Sequence, residues 1–166
     1  MASTYEKIAS TTLGSAASSI TFSSIASTYT DLIVVVQGTY STSDDLICLR
    51  YNNDTGSNYS STNMYGNGTS AQAYRASNAT SIQAGWYPNP GGAAVVSNMV
   101  SHIFNYSNTT TYKTNISRGD TSNVQGTAAR VGLWRSTAAV NRIDLIMLAG
   151  NLQSGTTATI YGIKAA

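Results

Sequence analysis

Hydrophobic periodicity sets the narrowest limit on what this chain can fold into. Short runs rich in Val, Ile, Thr and Tyr recur along all 166 residues, between clusters of Ser, Asn, Gly and Asp. None keeps the three-to-four spacing of an amphipathic helix beyond about two turns, so the pattern predicts an all-β chain. The clearest strands are expected at 5–11, 18–22, 31–39, 46–52, 94–106, 112–117, 126–135, 142–149 and 158–164, with weaker ones at 58–65, 72–76 and 81–86. Turn signals such as Asn53-Asp54-Thr55-Gly56, Asn67-Gly68, Arg118-Gly119-Asp120 and Gln153-Ser154-Gly155 separate them at short spacing. That spacing favours hairpins, hence an antiparallel β-sandwich of the jelly-roll kind, over a parallel sheet.

Two segments, LIVVV from Leu32 and IDLIMLAG from Ile143, are near-continuously apolar and are expected to be buried on both faces. TATIYGIK alternates instead, with Ile160 and Gly162 on one face and Thr159, Tyr161 and Ile163 on the other. The length suits one domain spanning 1–166. Residues 1–17 read either as an ordinary first strand or as an arm reaching a neighbour, with Tyr5, Ile8 and Leu13 as its apolar contacts. Residues 66–92 are the least regular and hold both prolines, in Trp86-Tyr87-Pro88-Asn89-Pro90-Gly91-Gly92, so they are expected to form a long loop excursion at one end of the sandwich. Trp86 and Tyr87, with Tyr65 and Tyr74, are candidates for contact with a partner or a sugar ring, since aromatic faces suit both. Capping the open end of the sandwich is the other use for the same four residues.

Charge narrows the function classes. Only 10% of residues are charged, and no Asp, Glu, Lys or Arg occurs from Ala76 to Tyr112. Soluble proteins normally stay apart through surface charge, so a polar but nearly uncharged skin suits a chain packed against copies of itself or a larger assembly. Disorder is disfavoured, because 42% of residues are hydrophobic and eleven are Tyr. The net charge of +2 is spread over single Lys and Arg residues, without a basic run to follow phosphates or an anionic bilayer. Neither nucleic acid nor membrane is expected as a partner. No secretory signal pattern is read at the start, which fits synthesis in a cytoplasm.

Catalytic chemistry is thinly represented. His102 is the sole histidine and Glu6 the sole glutamate, and no G-x-S-x-G occurs. His102 shares a strand face with Phe104 and Tyr106 and reads as structural. Asp44 and Asp45 are adjacent, which on a strand sends them to opposite faces, poor geometry for acid and base work. Cys48, within LICL, reads as a buried thiol and excludes an intramolecular disulfide. Asp44, Asp54 and Asn53 could supply oxygen ligands to calcium, but the EF-hand spacing is absent and turn formation explains them. Neither a catalytic set, a metal nor a cofactor is therefore expected.

The opening TYEKIASTTLGSAASSITFSSI, the block DLIVVVQGTYSTSDDLICLRYNNDTGSNYSSTNMYGNG, the segments TTTYKTNISR and VGLWRSTAAVNRIDL, and the close GTTATIYGIKAA resemble a family of small virion structural proteins of tailed bacteriophages, particularly phages of aquatic bacteria. The resemblance spans almost the whole chain and implies a β-sandwich module of the virion. With the uncharged surface, it leads to the expectation of a capsid decoration, or cement, protein, a homotrimer bridging the major capsid protein or other virion proteins. A tail or fibre adhesin binding host surface glycans through Trp86, Tyr87, Tyr65 and Tyr74 is the alternative.

Overall fold

The computed structural model describes residues 4–39, 45–66, 68–87, 96–121 and 127–164; the side chains of Asp45, Trp86, Tyr87 and Thr121 lie outside that description. Among the described residues there are twelve strands: β1 (Tyr5–Thr12), β2 (Ser19–Phe22), β3 (Asp31–Gly38), β4 (Asp45–Tyr51), β5 (Tyr59–Gly66), β6 (Ala71–Ala79), β7 (Ile82–Tyr87), β8 (Ser97–Phe104), β9 (Lys113–Thr121), β10 (Thr127–Trp134), β11 (Ile143–Met147) and β12 (Thr157–Ile163).

Four antiparallel pairings nest inside one another: β1 with β12, β2 with β11, β3 with β8, and β4 with β7. Together they form one long hairpin, rolled up so that β12 also pairs with β3 and β11 with β4. This is a jelly roll, in which β1-β12-β3-β8 and β2-β11-β4-β7 are the two facing sheets. The other four strands are two inserted hairpins, β5–β6 and β9–β10. The β9–β10 hairpin joins the first sheet beside β8 and β5–β6 follows beside β10, which extends it to eight strands in the order β1-β12-β3-β8-β9-β10-β5-β6.

Alternation explains what lies between the sheets. Leu32, Val34 and Val36 of β3, Ala158 and Ile160 of β12, Ile47, Leu49 and Tyr51 of β4, and Ile143, Leu145 and Met147 of β11 all enter one core. Each large aliphatic side chain so buried contributes about 1.5–3 kcal/mol. Tyr51, Tyr59 and Trp134 close one end as an aromatic group, with Tyr59 stacked on Trp134 at 6.2 Å between ring centroids and Tyr51 edge-on to Trp134 at 5.6 Å. The turn after β4 is tied to them, because Asp54 accepts hydrogen bonds from Trp134 Nε1 (2.7 Å), Asn58 Nδ2 (2.9 Å) and the Gly56 amide (2.8 Å). Asn52 and Asn53 supply the left-handed backbone of that turn, at φ 51° and 57°. Asp54 is thus committed to its turn and its tryptophan, while Asp44 falls outside the described residues.

Several expectations are corrected. Residues 66–92 are not a long loop: β6 and β7 occupy most of the segment, and its proline-containing end at 88–92 lies outside the described residues. The 1–17 segment is not an arm, since β1 pairs with β12 within the same chain; Ile8 and Leu13 pack on the core, and Tyr5 stays exposed at the sheet edge. Arg118-Gly119-Asp120 is not a turn but part of β9, paired on both sides. The β3 run is buried on one face only: Leu32, Val34 and Val36 face the second sheet, and Ile33 and Val35 on the outer face are half-buried. The IDLIMLAG run is not buried on both faces either: Asp144 is buried through bonds from Thr21 Oγ1 (2.6 Å) and the Arg142 guanidinium (2.8–3.0 Å), but Ile146 is half-buried and Leu148 exposed. The alternation of β12 is as read, with Ile160 and Gly162 buried and Thr159, Tyr161 and Ile163 half-exposed.

Gly162 is required by packing. A Cβ there would lie 2.2 Å from Cδ1 of Tyr29, whose ring occupies the space. Gly162→Val should therefore lower unfolding stability by roughly 1–3 kcal/mol in a urea titration, whereas Gly14→Ala, which meets nothing within 4 Å, should change it by less than about 0.5 kcal/mol. Burial pushes the Tyr59 hydroxyl from its ordinary 10.0 up to about 12, and raises that of Tyr51 as well. Groups raised in the folded state give stability that is complete below their unfolded value and is lost as pH climbs toward the folded one. The urea midpoint is expected to fall above pH 10, and to fall less steeply in Tyr59→Phe.

Candidate functional site

The two faces of the eight-stranded sheet have different chemistry. Strand register carries one row of outward side chains from Tyr161 through Ile33, His102, Ile116, Val131 and Thr62 to Arg75. The adjacent row holds Thr159, Val35, Val100, Arg118, Ala129, Met64 and Ala73. The middle of this face is thus an apolar stripe on open ground, where Ile116 and Val131 are each 51% exposed and Met64 60%. A shallow depression of about 420 Å³ lies in it, lined by Tyr5, Ile33, Val100, His102, Phe104, Ile116 and Arg118. His102 is held there by Asp31 Oδ2 at 2.9 Å and lies against Phe104, with ring centroids 4.1 Å apart. Tyr106 does not join them: Asn105 turns the chain at φ 47°, and Tyr106 is buried with its hydroxyl on the Ala26 carbonyl.

Beneath the inserted hairpins the inner face of the same sheet is polar. A row from β8 to β6 runs Ser101, Ser117, Arg130, Asn63, Tyr74. Asn115 Nδ2 donates to Ser101 Oγ and Ser117 Oγ at 2.9 and 2.8 Å. Lys113 is also buried, donating to the carbonyls of Thr111 (2.7 Å) and Thr137 (3.2 Å), and desolvation holds its ammonium below the ordinary lysine range. Arg130 is 2% exposed; its Nη1 donates to Asn63 Oδ1 at 2.8 Å and to the Tyr74 hydroxyl at 3.0 Å. Tyr74 donates in turn to Gln83 Oε1 at 2.8 Å, which also accepts from Asn63 Nδ2 at 3.2 Å.

Of the four aromatic residues singled out from sequence, Tyr65 and Tyr74 are together, edge to face with centroids 6.1 Å apart. Trp86 and Tyr87 end β7, opposite Leu46 and Asp45 of β4, and their side chains lie outside the described residues. Arg130, Asn63 and Gln83 went unseen because a lone Arg in TAARVGLW signals a solvent-facing position. Cys48 is buried, as read. Among the described residues no three of His, Cys, Asp and Glu gather as metal ligands.

No protein-family model matches the chain, and no curated protein does. Among solved structures it overlaps the galectin LEC-6 of Caenorhabditis elegans at 9% identity and a TM-score of 0.37, covering 94% of this chain and 96% of that one. It overlaps the alginate lyase Aly36B at 8% identity and a TM-score of 0.38, covering 93% and 77%. A tetrameric galectin of the sponge Cinachyrella sp. gives 10% identity and a TM-score of 0.33 over 87% and 99%. Overlaps this shallow carry no activity across to this chain, and the architecture rests on the strand pairing itself.

A guanidinium with no carboxylate beside it is costly to bury. Arg130→Met should accordingly leave the urea midpoint unchanged or raise stability by up to about 2 kcal/mol. Arg130→Glu should lower it sharply.

Proposed function

We propose that this chain is a structural protein of a tailed-phage particle, a decoration module without catalytic activity, which assembles with further copies of itself through the outer face of its eight-stranded sheet. The observation that carries this reading is the exposed apolar stripe of Ile116, Val131 and Met64 at the middle of that face. Contiguous apolar surface of this kind marks an interaction site on a soluble protein. The face that carries it is large enough. Eight strands of seven to nine residues cover roughly 900 Å² at ordinary strand spacing, close to the ~800 Å² that each partner brings to a standard interface.

The low charge of the chain supports the same reading, since little repulsion opposes the approach of copies. The virion setting, the trimeric state and the bridging of capsid subunits come from the family resemblance and form part of the proposal. Sedimentation velocity is the test. The chain should run as a homo-oligomer, expected to be a trimer, and Ile116→Asp combined with Val131→Asp should yield a folded monomer. A monomeric parent chain at tens of micromolar, or a double variant that keeps its oligomeric state, would refute it.

A further inference from the structure

The strongest unexplained feature lies on the other side of the sheet from the assembly face. Arg130 is buried with no counter-charge among the described residues: Glu6 is paired with Lys164, Asp31 with His102 and Asp144 with Arg142, Asp54 is held by Trp134, and Asp120 is exposed. No ion pair to Arg130 exists among the described residues. Its Nη1 is taken up by Asn63 and Tyr74, but Nε, on the other edge of the guanidinium, is buried with no hydrogen-bond partner among the described residues. That remaining edge, Nε with Nη2, is the planar fork that matches a carboxylate.

The surroundings restrict what could bring one. β6 and β7 are the unpaired edge strands of their two sheets, and Gln83 of β7 reaches across to Tyr74 of β6 and Asn63 of β5. Tyr74 and Gln83 thus close over the guanidinium at the side of the sandwich where β7 ends the smaller sheet. Tyr74, 39% exposed, covers it with its ring centroid 6.0 Å from Cζ. Beside Tyr74 stand Tyr65 and Gln72, the Tyr65 hydroxyl donating to Gln72 Oε1. Aromatic rings next to amide side chains suit the faces and hydroxyls of a sugar. We propose that this side of the sandwich binds an acidic sugar, whose carboxylate takes the Nε edge of Arg130 once Tyr74 turns aside, while Tyr65 stacks on the ring and Gln72 and Gln83 hold hydroxyls.

In this site Tyr74 is a cap, turned aside when the carboxylate enters. Neutral sugars lack the group that Arg130 needs, so charge is the basis of selection.

Titration of the full chain with a galacturonate trimer, followed by amide chemical shifts, tests the proposal, with the methyl-esterified trimer and acetate as controls. Saturable shifts are expected at Asn63, Gln72, Tyr74 and Gln83 and not at Ile33. The ester should bind at least roughly tenfold more weakly, and Arg130→Lys, which keeps charge but loses the fork, should weaken the acid form comparably. Tyr74→Phe, freed of its bonds to Arg130 and Gln83, should bind more tightly. Equal binding of ester and acid, a response to acetate matching that to the trimer, or no saturable response in both the parent chain and Tyr74→Phe would overturn it. The Ile116→Asp, Val131→Asp variant should bind as the parent does, which separates this site from the assembly face.

Discussion

The roll closes only because its first strand pairs with its last. β1 lies along β12 from Tyr5 opposite Ile163 to Thr12 opposite Thr157, and the inner pairings of β2 with β11, β3 with β8 and β4 with β7 sit inside that outermost one. The exposed Glu6–Lys164 ion pair across it, at 2.5 Å, adds little of its own. The backbone ladder does the holding, together with the apolar residues that alternate inward. Such pairings join residues far apart in sequence, so their loop-closure entropy must be overcome before any of them is rewarded, which makes folding slow by the standards of small domains. Closure entropy grows only slowly with length, which is why two hairpins could be inserted midway without opening the roll.

Those hairpins give the molecule its two kinds of surface. In the roll proper, strands such as β2 follow the ordinary rule of apolar inside and polar outside, although β3 also carries Ile33 and Val35 on its outer face. In β9 the rule is reversed, with Lys113, Asn115 and Ser117 inside and Ile116 outside. β10 does the same around Arg130 and Val131. The extension is thus a sheet whose outer face, with Ile116, Val131 and Met64, is uncovered among the described residues, and whose polar side is roofed by β7. Gly132 permits that roof: a Cβ there would meet Ile82 Cγ2 at 2.4 Å and Asn115 Oδ1 at 2.1 Å.

This reversal also explains which parts of the molecule were legible in the sequence. Period-two alternation shows that a segment is a strand and which residues share a face, and so TATIYGIK and LIVVV were read as strands correctly. It does not show which face is inside. Reading the apolar residues as inward fails for Ile116 and Val131, and it hid Arg130. Arg118-Gly119-Asp120 has the composition of a turn, yet Gly119 serves close packing, since a Cβ would approach the Asn98 carbonyl to 3.1 Å. In residues 66–92 the proline cluster outweighed the weaker alternation of β6 and β7. Tyr65 and Tyr74 were found as aromatic residues of one region, but their partnership depends on register between β5 and β6, which no local signal supplies.

The pairing of Tyr5 with Ile163 also fixes where the chain enters and leaves the roll. Both points lie on neighbouring strands, about 5 Å apart. A short peptide could join them, and the break could then be moved to the exposed turn at Gly68, giving a circularly permuted chain with every strand retained. By the same geometry the whole roll could be spliced into a surface loop of a larger protein, spreading that loop by little more than the width of one strand.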